Sequence, residues 1–232
     1  MQTKIHSDAV AAPFRPTAQE SRQARRTQIA GALLAVTGIG VLMSIITNEA
    51  LYPAARHYNT FANTISDLGG TEPPNSYMVQ PNRAMFIATM AVGGALVLLS
   101  TYLLWPGVAR PRISIGLLVF GASLVGLAVF PGNVATWHPW IALTCFMAGA
   151  ITAIMSRKVL HAPVTYFAVA LGAIALVATV AGLESFEGTG PQEWIGLGGV
   201  ERWIAYPVLM WLVIFGTALM GREEGVHEAN SK

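Results

Sequence analysis

The fold class expected from this sequence is an all-α integral membrane bundle of six helices, and three observations predict it. Of 232 residues, 53% are hydrophobic and only 11% are charged, against about 25% charged in a soluble domain. The mean hydropathy is +0.52. Six apolar runs, at 29–47, 83–105, 113–130, 138–155, 164–183 and 203–220, approach the roughly 20 residues that cross the hydrocarbon core as a helix. None shows the alternation that a membrane barrel requires. The expected organisation is therefore a disordered cytoplasmic tail at 1–27, a six-helix domain at 28–221 and a cytoplasmic tail at 222–232.

Residues 1–27 are polar, hold Pro13 and Pro16, end in Arg22, Arg25 and Arg26, and lack a repeating apolar face, which is why they are read as disordered. The run at 29–47 is longer than a signal-peptide core and is expected to stay as the first span. The connection that follows contains the most polar patterned stretch, 57–70. A helix over 60–68 sets Phe61, Ile65 and Leu68 on one face and Asn63, Ser66 and Asp67 on the other, which makes a short amphipathic helix in the first extracytoplasmic loop. Asn59 or Thr60 is suited to cap its start and Gly69 or Gly70 its end.

The second and fourth connections carry Arg110, Arg112, Arg157 and Lys158 without an acid. With the arginine-rich tail they place both termini in the cytoplasm of a multi-pass plasma-membrane protein. The other three connections collect Glu49, Asp67, Glu72, Glu184, Glu187, Glu193 and Glu201. Trp137, Trp140, Trp194 and Trp203 stand at the same expected outer boundary, where amphipathic rings concentrate. Glycines recur along the spans, as at Gly31, Gly38, Gly94, Gly121 and Gly149, and are read as surfaces of close helix approach. The second, fourth and sixth runs open on Arg83, His138 and Arg202. A cation at the positive end of a helix dipole calls for an anion beside it; the candidates within the chain are Asp67, Glu184, Glu187 and Glu201, with Asp67 expected to pair with Arg83 or Arg202 or to share the place with an anionic ligand.

Several function classes are excluded or disfavoured. A net charge of +2 with no basic stripe argues against nucleic acid. The single cysteine, Cys145, rules out an intrachain disulfide, a CxxC redox pair and a multi-thiolate metal site. Metal-ligand spacings such as HxxxH are missing, so no metal and no cofactor is expected. Any metal would have to be assembled from His57, Asp67 and His138. No expected span holds a mid-membrane acid or base, the usual mark of proton-coupled transport.

The Asn-Thr-Ile-Ser-Asp-Leu-Gly element at 63–69, His138 following Phe130-Pro131, and Gly-Val-Glu-Arg at 199–202 together resemble the prokaryotic membrane family called domain of unknown function 998, over residues 28–221. The resemblance implies a six-helix membrane protein of unassigned activity, with Ser66, Asp67, His138 and Arg202 at the family's recurring polar positions. The reading favoured here is a non-enzymatic one. It is binding of a membrane lipid, a small anionic ligand or a partner protein at an extracytoplasmic pocket made by Asn63, Ser66, Asp67, Arg83, His138 and Arg202. The alternative is an intramembrane lipid hydrolase with His138 as base, Asp67 as its orienter and Ser66 or water as nucleophile. A small-solute transporter is a third reading.

Overall fold

The computed structural model describes residues 17–74, 76–105, 111–183 and 190–221. Its described part is all helical, with six helices long and apolar enough to cross a membrane. They are α1 (Ala18–Ala50), α2 (Asn82–Leu104), α3 (Pro111–Val129), α4 (His138–Met155), α5 (Val164–Leu183) and α6 (Gln192–Met220). Each helix packs on its sequence neighbours, and α6 returns to α1, so the six close into a ring, with α4 also touching α6 across its middle. α2, α4 and α6 begin at the same end of the bundle, called the loop end below.

Two helices are longer than expected. α1 starts at Ala18, so residues 18–27, expected in a disordered tail, are its opening turns. Thr17 and Glu20 form a reciprocal capping box there, which satisfies two free backbone N–H groups at once. The rest of that tail, residues 1–16, lies outside the described residues, as do Arg110, Glu184, Glu187 and the C-terminal tail. α6 begins at Gln192 rather than at 203. Gly196 breaks it with φ 74° and ψ 162°, a conformation that costs glycine little and other residues much. A Cβ at Gly196 would run into the Phe61 carbonyl. Arg202 thus lies well inside α6 and does not open a helix, and the dipole argument made for it from the sequence does not apply.

The segment expected as an amphipathic helix over 60–68 is helical only at Ser66–Leu68, as a 3-10 turn. Side chains capture the backbone first. The Ala62 N–H donates to Asn59 Oδ1 (2.8 Å), the Thr64 N–H to Asp67 Oδ2 (3.0 Å) and the Asp67 N–H to Thr64 Oγ1 (3.2 Å). Asn, Asp and Thr offer the chain such local partners in place of a helical ladder. The expected apolar face survives in part: Ile65 and Leu68 are buried, while Phe61 is 55% exposed.

Small residues bring the backbones of α1 and α6 into contact. A Cβ at Gly31 would lie 2.5 Å from the Gly216 carbonyl oxygen, and one at Gly38 2.5 Å from that of Leu209. In lipid, where apolar burial drives helices together only weakly, such approach supplies the dispersion that holds them.

Candidate functional site

At the loop end the connection between α1 and α2 folds over the bundle and is tied down by two arginines. Arg202 is 8% exposed and uses every arm of its guanidinium. Nε and Nη2 donate to Glu49 Oε1 at 3.1 and 2.5 Å. Nη2 also donates to the Tyr58 hydroxyl at 2.7 Å, and Nη1 donates to the carbonyls of Asn63 (2.9 Å), Gly198 (2.6 Å) and Thr60 (3.2 Å). Glu49 closes α1, so the pair bolts α1 and the loop to α6. Arg83, in the first turn of α2, donates through Nη1 to the Gly69 carbonyl and to Asn133 Oδ1, both at 2.8 Å, and so joins the loop to the α3–α4 connection.

Asp67 pairs with neither arginine, contrary to the sequence-based expectation. Its Oδ2 accepts from Asn63 Nδ2 (3.1 Å) and from the Thr64 N–H (3.0 Å). It therefore acts inside its own turn. The arginines had nearer acceptors: Glu49 was read as loop and proves to be the last turn of α1. Gly69 and Gly70 complete the turn. Gly69 lies flat on the Phe86 ring, and Gly70 has φ 142° beside Asn133 and Arg83, which explains the double glycine without invoking chemistry.

Below this layer lies a half-open chamber of about 60 Å³. Its walls come from α1 (Val41, Ile45), α2 (Phe86, Met90), α3 (Phe120, Leu124, Leu127), α4 and α6, and its roof is Ile65 and Ser66. α5 takes no part. Three polar side chains face it: His138, Glu201 and Ser66. His138 is 5% exposed and its Nδ1 lies 2.8 Å from the Phe130 carbonyl oxygen. A carbonyl only accepts, so Nδ1 carries a proton. Glu201 accepts from the Ile65 N–H through Oε2, which holds the roof on α6. Ser66 Oγ shares a hydrogen bond with Thr64 Oγ1 at 2.9 Å.

Of the six residues expected to bind a ligand, the structure puts Ser66 and His138 at the chamber. It puts Asn63, Asp67, Arg83 and Arg202 in the loop-end framework. The proposed hydrolase triad is not assembled, because the partner of His138 Nδ1 is Phe130 and not Asp67. His57 is exposed and left-handed (φ 51°) at the end of the Ala54–Arg56 turn. Among the described residues no three His, Cys, Asp or Glu side chains are grouped to hold a metal ion, so His57, Asp67 and His138 do not form one site.

Glu201 is the chamber residue absent from the expected set. It had been assigned to a loop because span six was started at 203. Pro191 followed by Glu193, a helix-opening pair, was the signal for the earlier start. Among the described residues the one ion pair is Glu49 with Arg202; Glu201 lies in a spanning helix, held by the backbone N–H groups of Ile65 and Ser66 and within the field of Arg202. Such residues in membrane segments are costly and mark functional positions by default.

A sequence model of the family described as "Protein of unknown function (DUF998)" matches residues 50–218. That span takes in the loop-end framework except Glu49, together with α2 to α5 and all but the last residues of α6, and leaves nearly all of α1 outside. No curated protein matches the chain, and no solved structure does.

Proposed function

The chain belongs to the DUF998 family, a family of unknown function, and on that premise we propose that it is a membrane-embedded binding protein whose chamber holds a small, largely apolar, lipid-type molecule. The observation that carries this reading is the chamber itself. Apolar side chains from five helices surround a space with His138, Glu201 and Ser66 gathered at its roofed end. A mostly apolar pocket with a few convergent polar groups is the ordinary form of a small-molecule site. An anionic ligand is less suited, because Arg83 and Arg202 are spent on protein acceptors. With the basic connections in the cytoplasm, the roof faces the outer side of the plasma membrane.

The test is native mass spectrometry of the purified protein beside Ala142→Phe, which puts a ring into the chamber wall. The expected result is a retained organic mass in the wild type that the folded variant lacks. If the wild type carries nothing and Ala142→Phe unfolds at a higher temperature, the chamber is a packing void and the reading is wrong.

A further inference from the structure

We infer that the end of the bundle opposite the loop end carries a site for an anionic phospholipid. Its phosphate is held by Arg22, Arg25 and Arg26 of α1, and an acyl chain lies along the apolar face that continues below them. The site is separate from the chamber and does not depend on it.

The first turns of α1 stand clear of α6. A Cβ at Gly31 would lie 3.1 Å from the side chain of Met220, the last residue of α6, so residues 18–26 run on past that helix. Arg26 lays its guanidinium over the Tyr102 ring of α2, with Cζ 5.7 Å from the centroid, a contact that turns this face of α1 towards the edge of α2. Arg22 and Arg25 are exposed. Among the described residues no carboxylate pairs with any of the three. Glu20, the acid nearest them in sequence, is engaged with Thr17 in the capping box. That box also occupies the helix end, so the pull on an anion comes from the three side chains.

The helical period sets what lies beneath them. Arg22, Arg26, Ile29, Leu33, Val36 and Gly40 share one sector of α1, with Arg25 at its edge. Ile29 and Val36 are exposed, and a Cβ at Gly40 would meet nothing within 4 Å. On α2 the exposed side chains of Leu99 and Tyr102 continue the strip. Unpaired cations beyond the span with an exposed apolar strip beneath them repeat the order of a phospholipid, whose phosphate sits at the boundary and whose chains run inward. Guanidiniums match phosphate oxygens two at a time. A phosphocholine head brings its own cation, which three arginines repel, whereas a phosphate on an uncharged head brings the net negative charge that the face lacks. The occupant is therefore an anionic lipid of the leaflet at this end.

The experiment is native mass spectrometry of the delipidated full chain in detergent, titrated with dioleoylphosphatidylglycerol or dioleoylphosphatidylcholine. The expected result is that the wild type binds the glycerol lipid more tightly by about tenfold or more, given about fivefold for each arginine beside a lipid's charge. Arg22→Gln/Arg25→Gln/Arg26→Gln should weaken the glycerol lipid by about a hundredfold and leave the choline lipid unchanged. Should that variant fail to fold, Arg22→Gln/Arg25→Gln alters only the two exposed arginines and should still cost about thirtyfold. Arg112→Gln/Arg157→Gln/Lys158→Gln removes as much charge from other helices and should leave the affinity within about twofold. Glu223→Gln/Glu224→Gln, which discharges the acids that follow α6 in the sequence, should also leave it unchanged. Equal binding of the two lipids overturns the site, and so does an equal loss in the two triple variants, which would show a diffuse field. A tenfold gain on discharging Glu223 and Glu224 would assign the arginines to this chain's own acids. Displacement of the lipid by an equal concentration of glycerol 1-phosphate would show that the free anion suffices and that the apolar strip holds no chain.

Discussion

The seam between α1 and α6 and the chamber beside it use the same helix in opposite ways. On the seam side α6 offers Gly216, the Leu209 backbone and Arg202, and each touches α1 directly. Gly216 meets Gly31, the Leu209 carbonyl meets Gly38, and Arg202 meets Glu49. On the other side the same helix offers Glu201, Ala205 and Val208 to open space. Glu201 and Arg202 are sequence neighbours, yet the arginine reaches α1 and the loop carbonyls while the carboxylate takes the backbone N–H groups of the roof. The seam is specified by contacts that leave no spare volume, while the chamber is left unfilled behind a largely apolar wall.

The sharpest break of this contrast is Arg202→Ala. It removes the only ion-pair partner of Glu49 among the described residues and frees the carbonyls of Thr60, Asn63 and Gly198. Stripping one member from a buried pair costs about 3–5 kcal/mol. The folded fraction in a dodecyl sulfate titration should fall accordingly, and adding Glu49→Gln should restore part of the loss by removing the stranded charge. If the single variant is as stable as the wild type, the clamp does not hold the seam. A smaller loss, about 1–3 kcal/mol as for overpacked cores, is expected from Gly216→Ala, whose Cβ would meet the Gly31 carbonyl and the Ala35 backbone. The chamber variant Ala142→Phe adds far more volume and should cost less in the same titration. The reverse order would show that the space beside α6 is not room for a guest.

How much of this was legible in the sequence follows the physics of each signal. Membrane spans announce themselves through long apolar runs, because the bilayer demands about 20 such residues in a row, and all six helices were expected. Their ends were not: Thr17 and Glu20 lie in a polar tail, and residues 192–202 mix glycine with charge, so hydropathy stopped short at both. The late start at 203 placed Glu201 in a loop, so it stands there as a candidate anion and not as a chamber residue, and the early stop at 47 left Glu49 outside α1. His138 and Ser66 were named because they are polar residues beside a span. Asp67 was named for the same reason, and proved to be a local turn residue. Sequence spacing shows which side chains share a turn, but the acceptors that Arg202 reaches are as far away in the chain as Glu49, and only packing brings them together.

The finest probe of the seam is Tyr58. Its hydroxyl donates to the Thr64 carbonyl at 3.0 Å and accepts from Arg202 at 2.7 Å, so Tyr58→Phe should cost about 0.5–1.5 kcal/mol near neutral pH. Burial pushes the phenol well above its ordinary value of 10.0, with Glu49 and Glu201 adding to the shift and Arg202 opposing it. Tyr52, whose ring lies tilted with its centroid 4.8 Å from that of Tyr58, is pushed up to about 12, again mainly by burial. Both rings therefore keep their protons in the fold at a pH where the unfolded chain has begun to lose them. A raised folded-state value stabilises fully below the unfolded one and loses that contribution as pH climbs past it. Stability should thus decline above pH 10, towards about 12. Tyr58→Phe should start lower at neutral pH and decline less steeply, while Tyr52 maintains the remaining slope. An identical slope in the variant would mean that the phenol is already ionised or exposed in the fold, and that the Arg202 clamp is looser than the seam it is held to close.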